Sequence, residues 1–128
     1  MGATAPRDAG NVRSLHRIRV LLAAADSRFL RAATFLLERE GFDVVGACNP
    51  DEAAAQAGAK RPHAVVVDGN ESAAAAGRTA LAIEAAGLPI HVLVVSSGST
   101  RRGGPLTRTS ECGSFVELTR ELRRLYGT

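Results

Sequence analysis

The chain has 128 residues, 45% hydrophobic and 23% charged, with two cysteines and a formal charge of +3. That is one domain's worth of sequence, able to bury about two-thirds of its unfolded surface. No apolar run approaches the ~20 residues that cross a bilayer, the polar N-terminus lacks the apolar core of a secretory signal, and two cysteines do not make a disulfide scaffold. A membrane protein, a disulfide miniprotein and a wholly disordered chain are thereby excluded.

The charge is uneven. Arg7, Arg13, Arg17 and Arg19 stand against Asp8 in the first nineteen residues, whereas the rest of the chain is balanced. The +3 therefore belongs to a tail, which is weak support for nucleic-acid binding. Residues 1–16 show no periodicity and read as a disordered tail, with 17–128 as the folded domain. Ile18–Ala23 is a short apolar run, read as a buried strand. Asp26 or Ser27 can cap a helix carrying Phe29, Leu30, Ala33, Leu36 and Leu37, which Gly41 ends. Asp43–Cys48 reads as a second strand. Asn49-Pro50-Asp51-Glu52 starts a helix through AAAQAGAK, with acids at its positive end.

Ala64–Val67 is the most strand-like run and is followed by Asp68-Gly69-Asn70. Ala73–Ala86 is an Ala-rich helix closed by Gly87 and Pro89, and Ile90–Val95 is a fourth buried strand. Alternation then fails. Gly103-Gly104-Pro105 is hostile to helix, by about 1 kcal/mol per Gly and ~3 for Pro, so the helix expected between Gly98 and Gly113 is short, frayed or absent. Ser114-Phe115-Val116 reads as a short fifth strand, and Glu117–Tyr126 as an amphipathic last helix. Cys48 falls in a strand and Cys112 in a loop. Strand–helix alternation with continuous apolar strands predicts an α/β fold with a parallel sheet covered on both faces. Working residues in such sheets lie past the carboxyl ends of the strands. Asp68, an acid directly after four apolar residues, is placed there either as a nucleophile or metal ligand, or simply as a cap for the next helix.

From Ile18 to Tyr126 the sequence resembles the receiver domain of bacterial two-component response regulators. IRVLLAAADSRFLRAATFLLEREGFDVV is similar to that family's first strand, helix and second strand. NPDEAAAQAGAKRPHAVVVD is similar to its second helix and third strand, and places Asp68 at the phospho-acceptor position. VLVVSS places Ser96 at the Ser/Thr switch position, and GSFVEL places Phe115 at the aromatic one. The resemblance implies a flavodoxin-like (βα)5 sandwich with a five-stranded sheet of order 2-1-3-4-5.

The departures bear on function. The acidic pair that holds Mg²⁺ in the family falls on Ala24 and Ala25, and Asp26, one position later, is expected to begin the helix. The lysine after the fifth strand falls on Leu118. Glu71-Ser72 replaces the Met-Pro pair after the acceptor loop. Phosphoryl transfer to a carboxylate depends on positioning and on positive charge at the phosphoryl oxygens, and Mg²⁺ usually takes one or two carboxylates. With those groups gone, Asp68 is expected to lack a charged neighbour, to have little reason for a raised pKa and to bind no dication.

The reading is an atypical, stand-alone receiver of phosphorelay signalling, a pseudo-receiver. It is expected to act by protein–protein interaction, as a non-enzyme without metal or cofactor, in the cytoplasm. The partner is a kinase, another regulator or a second copy; neither membrane nor nucleic acid is expected. Two alternatives stand. In one, Asp68 is phosphorylated with Mg²⁺ and Asp26 slips into the pocket. In the other, a receiver-derived protein binds nucleic acid through the Arg tail with Arg101, Arg102 and Arg108. Phe115 is the one aromatic near that Arg-rich stretch, which leaves no stacking platform. His16, His63 and His91 have no ligand spacing: His91 is read as a core or edge histidine and His63 as a surface one. Leu106, Phe115 and Tyr126 are expected to contribute to a partner surface.

Overall fold

The computed structural model describes residues 17–97 and 109–127. The tail of residues 1–16, the fourth crossover with Leu106, and Arg101, Arg102 and Arg108 lie outside the described residues.

Five strands, β1 (Arg19–Ala23), β2 (Asp43–Cys48), β3 (Ala64–Asp68), β4 (His91–Val95) and β5 (Thr109–Cys112), form one parallel sheet in the order 2-1-3-4-5. Four helices accompany them: α1 (Ser27–Arg39), α2 (Ala53–Lys60), α3 (Ala73–Ala85) and α4 (Phe115–Tyr126). A 3₁₀ turn at Pro50–Glu52 leads into α2. β1 and β3 are central, as their unbroken apolar runs require, because both of their faces are covered.

Successive strand residues point to opposite faces and build two cores. Val20, Leu22, Val66, Leu93 and Val95 pack beneath α1 and α4, against Ala33, Leu37, Leu118 and Leu122. Leu21, Ala23, Val65, Val67 and Val92 pack beneath α2 and α3, against Ala53, Ala57, Ala76, Ala80 and Ile83. Alanines at four-residue spacing on α2 and α3 let those helices lie close to the sheet.

Local chemistry sets the element ends. Asp26 caps α1 by accepting the Arg28 N–H at 2.9 Å, and Gly41 turns the chain after it with φ +95°. Glu52 reaches back to the Asn49 N–H at 3.2 Å.

The fifth strand departs from the sequence reading. Ser114-Phe115-Val116 is not a strand: Ser114 is the N-cap of α4, and Phe115 and Val116 are its first residues. The Ser114 hydroxyl accepts the Glu117 N–H at 3.2 Å, and the Glu117 carboxylate accepts the Gly113 N–H at 2.8 Å. Ser-x-x-Glu is the sequence signature of such a reciprocal cap, and here it overrides the branched and aromatic residues that suggested a strand. β5 lies five residues earlier, and Cys112 is its buried last residue rather than a loop residue.

Candidate functional site

The carboxyl ends of β1, β3, β4 and β5 meet at one edge of the sheet, and Asp68 is at their centre. It is the last residue of β3, opposite Val95 of β4, and is 5% exposed. Its carboxylate accepts the Asn70 N–H at 3.0 Å, closing an Asx-type turn. The Asn70 side chain then accepts the Ser97 N–H at 3.0 Å, and Gly69 donates its N–H to the Val95 carbonyl at 2.8 Å. The loops after β3 and β4 are thereby stitched together. The approach is so close that a Cβ on Gly69 would lie 2.6 Å from Val94 Cγ1 and 3.2 Å from the Val95 carbonyl. Asp-Gly-Asn at a strand end is the sequence signal of such a tight turn.

The sequence aligned Ala24 and Ala25 with an acidic pair, and both lie just past β1. Ala24 is buried and donates its N–H to the Cys48 carbonyl at 2.9 Å. Ala25 donates its N–H to the Glu71 carboxylate at 3.1 Å, across 46 residues of sequence. Glu71, which stands where the family has the first residue of a Met-Pro pair, is thus an element of the site.

The electrostatics correct one expectation. Asp68 is not free of like charge, and its pKa is raised. Burial is the main cause; the Asn70 N–H opposes it, and Glu71 and then Asp26 add repulsion. Asp26 caps α1 as expected, yet its charge reaches Asp68. Its own pKa is lowered, first by the Arg28 backbone N–H.

Two further positions move. Phe115 begins α4, off the sheet, with its ring 5.5 Å from that of Phe29. Leu118 is not directly past the end of the fifth strand but within α4, fully buried in the core with Leu122. The residue past β5 is Gly113. Ser96 is half-buried beyond β4, where its N–H donates to the Cys112 carbonyl at 2.9 Å.

The positions aligned with the acidic pair supply no side-chain ligand for Mg²⁺. Asp68 and Glu71 each hold a backbone N–H, Ala24 and Ala25 offer no side-chain oxygen, and among the described residues no three His, Cys, Asp or Glu side chains converge to hold a metal ion. No step through a metal is derived.

The opposite edge of the sheet is built differently. His63, expected at the surface, is partly buried. Its half-buried ring accepts the Arg19 N–H at Nδ1, 2.9 Å away. The Tyr126 hydroxyl donates to the His63 carbonyl at 2.7 Å and lies 3.1 Å from His91 Nδ1. Tyr126 therefore clamps the end of α4 to the starts of β3 and β4. Among the described residues no helix is long and apolar enough to cross a membrane, and Cys48 is a half-buried free thiol.

No family model matches this chain, and no curated protein sequence matches it. A solved structure does. It is the signal receiver domain of a Mycobacterium tuberculosis protein described as the response regulator NarL, with a TM-score of 0.68 at 17% identity. The match covers 87% of this chain and 97% of that one. The chain has the receiver-domain fold.

Proposed function

We propose that this chain is a receiver-like signalling module that works by binding another protein, with Mg²⁺-dependent phosphorylation of Asp68 impaired or absent. The fold match supports the first part, and the surroundings of Asp68 support the second. The observation that carries the reading is the Glu71 carboxylate anchored on the Ala25 N–H. Where a phosphoryl dianion would need positive charge, the chain supplies a second carboxylate beside the first. The charged groups that act most on Asp68 are both acids, Glu71 and then Asp26. A dianion approaching Asp68 meets repulsion from Glu71 and Asp26, and electrostatic stabilisation is the main lever for this transfer.

The decisive experiment incubates the protein with acetyl phosphate and Mg²⁺ and follows intact mass. No gain of a phosphoryl group is expected, under conditions that label an ordinary receiver. Stoichiometric labelling lost in Asp68→Asn would return the chain to the phosphorylatable reading.

A further inference from the structure

The amino-terminal edge of the sheet carries a cluster of groups that the chemistry of Asp68 leaves unused. His63, just before β3, bonds three other elements, one through its ring and two through its carbonyl. The ring accepts the Arg19 N–H of β1 at Nδ1, 2.9 Å away. The carbonyl accepts the His91 N–H of β4 at 3.2 Å and the Tyr126 hydroxyl of α4 at 2.7 Å. The rings also meet edge to face. The centre of the Tyr126 ring lies 5.4 Å from that of His63 and 5.8 Å from that of His91. One residue thus ties the start of the sheet to the end of the last helix.

Counting hydrogens fixes the protons of this cluster. A tyrosine has one O–H to give. That proton goes to the His63 carbonyl, so the 3.1 Å contact with His91 requires His91 to donate from Nδ1. Neutral and protonated His91 can both make that bond. His63 differs. Its Nδ1 must be bare to accept, and a proton there would set two N–H donors head to head at 2.9 Å. The charged groups around it offer no relief. Arg19 on β1 repels a proton on the ring, and its guanidinium bonds the Arg61 carbonyl at the end of α2. Asp43 of β2 lies beyond Arg19 in the register, and Arg123 of α4 is turned to Glu40. Among the described residues no acid forms an ion pair with His63.

We propose that His63 is an acid-released clasp on the last turn of α4. Proton uptake at Nδ1 breaks the bond from Arg19, shifts the His63 backbone and withdraws the carbonyl that holds Tyr126. The turn that packs Leu125 and Tyr126 against the core then opens. Burial first, and Arg19 second, hold the His63 pKa below its ordinary value while the edge is closed, whereas opening exposes the ring to water. The open form therefore binds the proton more readily. The clasp is fully closed above the ordinary histidine pKa and is lost as the pH falls through the lower value of the closed form. Helix ends held by few bonds open locally without global unfolding. The clasp is independent of Asp68 and goes beyond the interaction-module reading.

Amide hydrogen exchange of the whole chain tests this at about pH 7.5 and about pH 5, with rates corrected for the intrinsic effect of pH. Relative to the Leu122 amide in mid-helix, the amides from Arg124 to Gly127 should lose protection about three- to tenfold at the lower pH, the equivalent of one hydrogen bond. His63→Asn keeps an acceptor for the Arg19 N–H without titrating, and should abolish that loss. His91→Asn keeps a donor for Tyr126 and should retain it. Tyr126→Phe removes the hydroxyl, so its last turn should be as weakly protected at the higher pH as that of wild type at the lower. This variant decides the question if His63→Asn does not fold. The proposal fails if wild-type protection is the same at both pH values, or if it falls by one factor throughout the chain. It fails equally if His63→Asn keeps the loss, if His91→Asn removes it, or if Tyr126→Phe is protected as well as wild type at the higher pH. Labelling of Asp68 by acetyl phosphate would remove the impaired-phosphorylation reading and leave the clasp standing.

Discussion

The carboxylate of Glu71 accepts the backbone N–H of Ala25 at 3.1 Å, closing the end of β1 with a side chain from the loop after β3. One acid is thereby fixed beside Asp68, and it shapes how Asp68 ionises.

Asp68 has its pKa raised above that of an ordinary aspartate, mainly by burial, with Glu71 and Asp26 contributing repulsion. A raised carboxyl pKa means the folded state holds its proton more tightly than the unfolded chain. Its contribution to stability is fully present below the unfolded pKa and is lost as pH rises through the folded value. Asp68→Asn keeps an oxygen for the Asn70 N–H and never ionises. It should therefore be slightly more stable than wild type at neutral pH, by under about 1 kcal/mol, with the advantage vanishing in acid. Urea unfolding at pH 3.5 and pH 7 tests this. Glu71→Gln should lower the Asp68 pKa, read from its carboxyl carbon shift. An unchanged titration would mean that Glu71 does not act on Asp68.

His63 shows the opposite sign. Burial first, then the nearby Arg19, lowers its pKa below 6.5. Its Nδ1 must stay unprotonated to accept the Arg19 N–H. The unfolded chain binds the proton more readily, so the stabilisation is present above the unfolded pKa and is lost as pH falls through the folded one. Midpoints of urea unfolding should drop between pH 7.5 and pH 5. His63→Asn can keep an acceptor without titrating and should flatten this dependence. An equally steep profile in that variant would assign the acid sensitivity elsewhere.

At Gly69 the added methyl of Gly69→Ala has no room, because Val94 Cγ1 and the Val95 carbonyl occupy it. Overpacking of this kind costs about 1–3 kcal/mol. Gly77→Ala, with open space around the added Cβ in the middle of α3, should be neutral or stabilising. Thermal melts of the two variants should move in opposite directions, and a shared direction would mean the β3–β4 loops yield easily.

Leu118 is fully buried beside Leu122. Leu118→Ala should cost about 2–5 kcal/mol. Leu118→Lys buries an ammonium and should unfold the domain at neutral pH or depress the lysine pKa sharply. Neither can restore a phosphoryl-binding lysine. A folded, unperturbed Leu118→Lys would show that α4 can rotate in its seat.

Hydrophobic pattern alone determined the layered architecture. Val20–Ala23 and Ala64–Val67 are apolar without interruption, and only a strand covered on both faces needs that pattern. Ala33 with Leu37 and Leu118 with Leu122 sit at four-residue spacing, and only a helix brings such pairs to one face. Asp68 was legible for the same reason, being the first polar residue after a buried run. β5 was not. Thr109-Ser110-Glu111-Cys112 has no apolar run, and it becomes a strand because the polar backbone of β4 needs a partner on its open side. The strand read at Ser114-Phe115-Val116 fails in consequence, since the Ser114–Glu117 cap starts a helix where branched and aromatic residues suggested a strand. Glu71 and His63 lay beyond sequence reasoning altogether. Each acts on a backbone N–H more than forty residues away, at Ala25 and Arg19. Side-chain chemistry names a possible acceptor, but only the packing of β1 beside β3 brings those two donors within hydrogen-bonding reach.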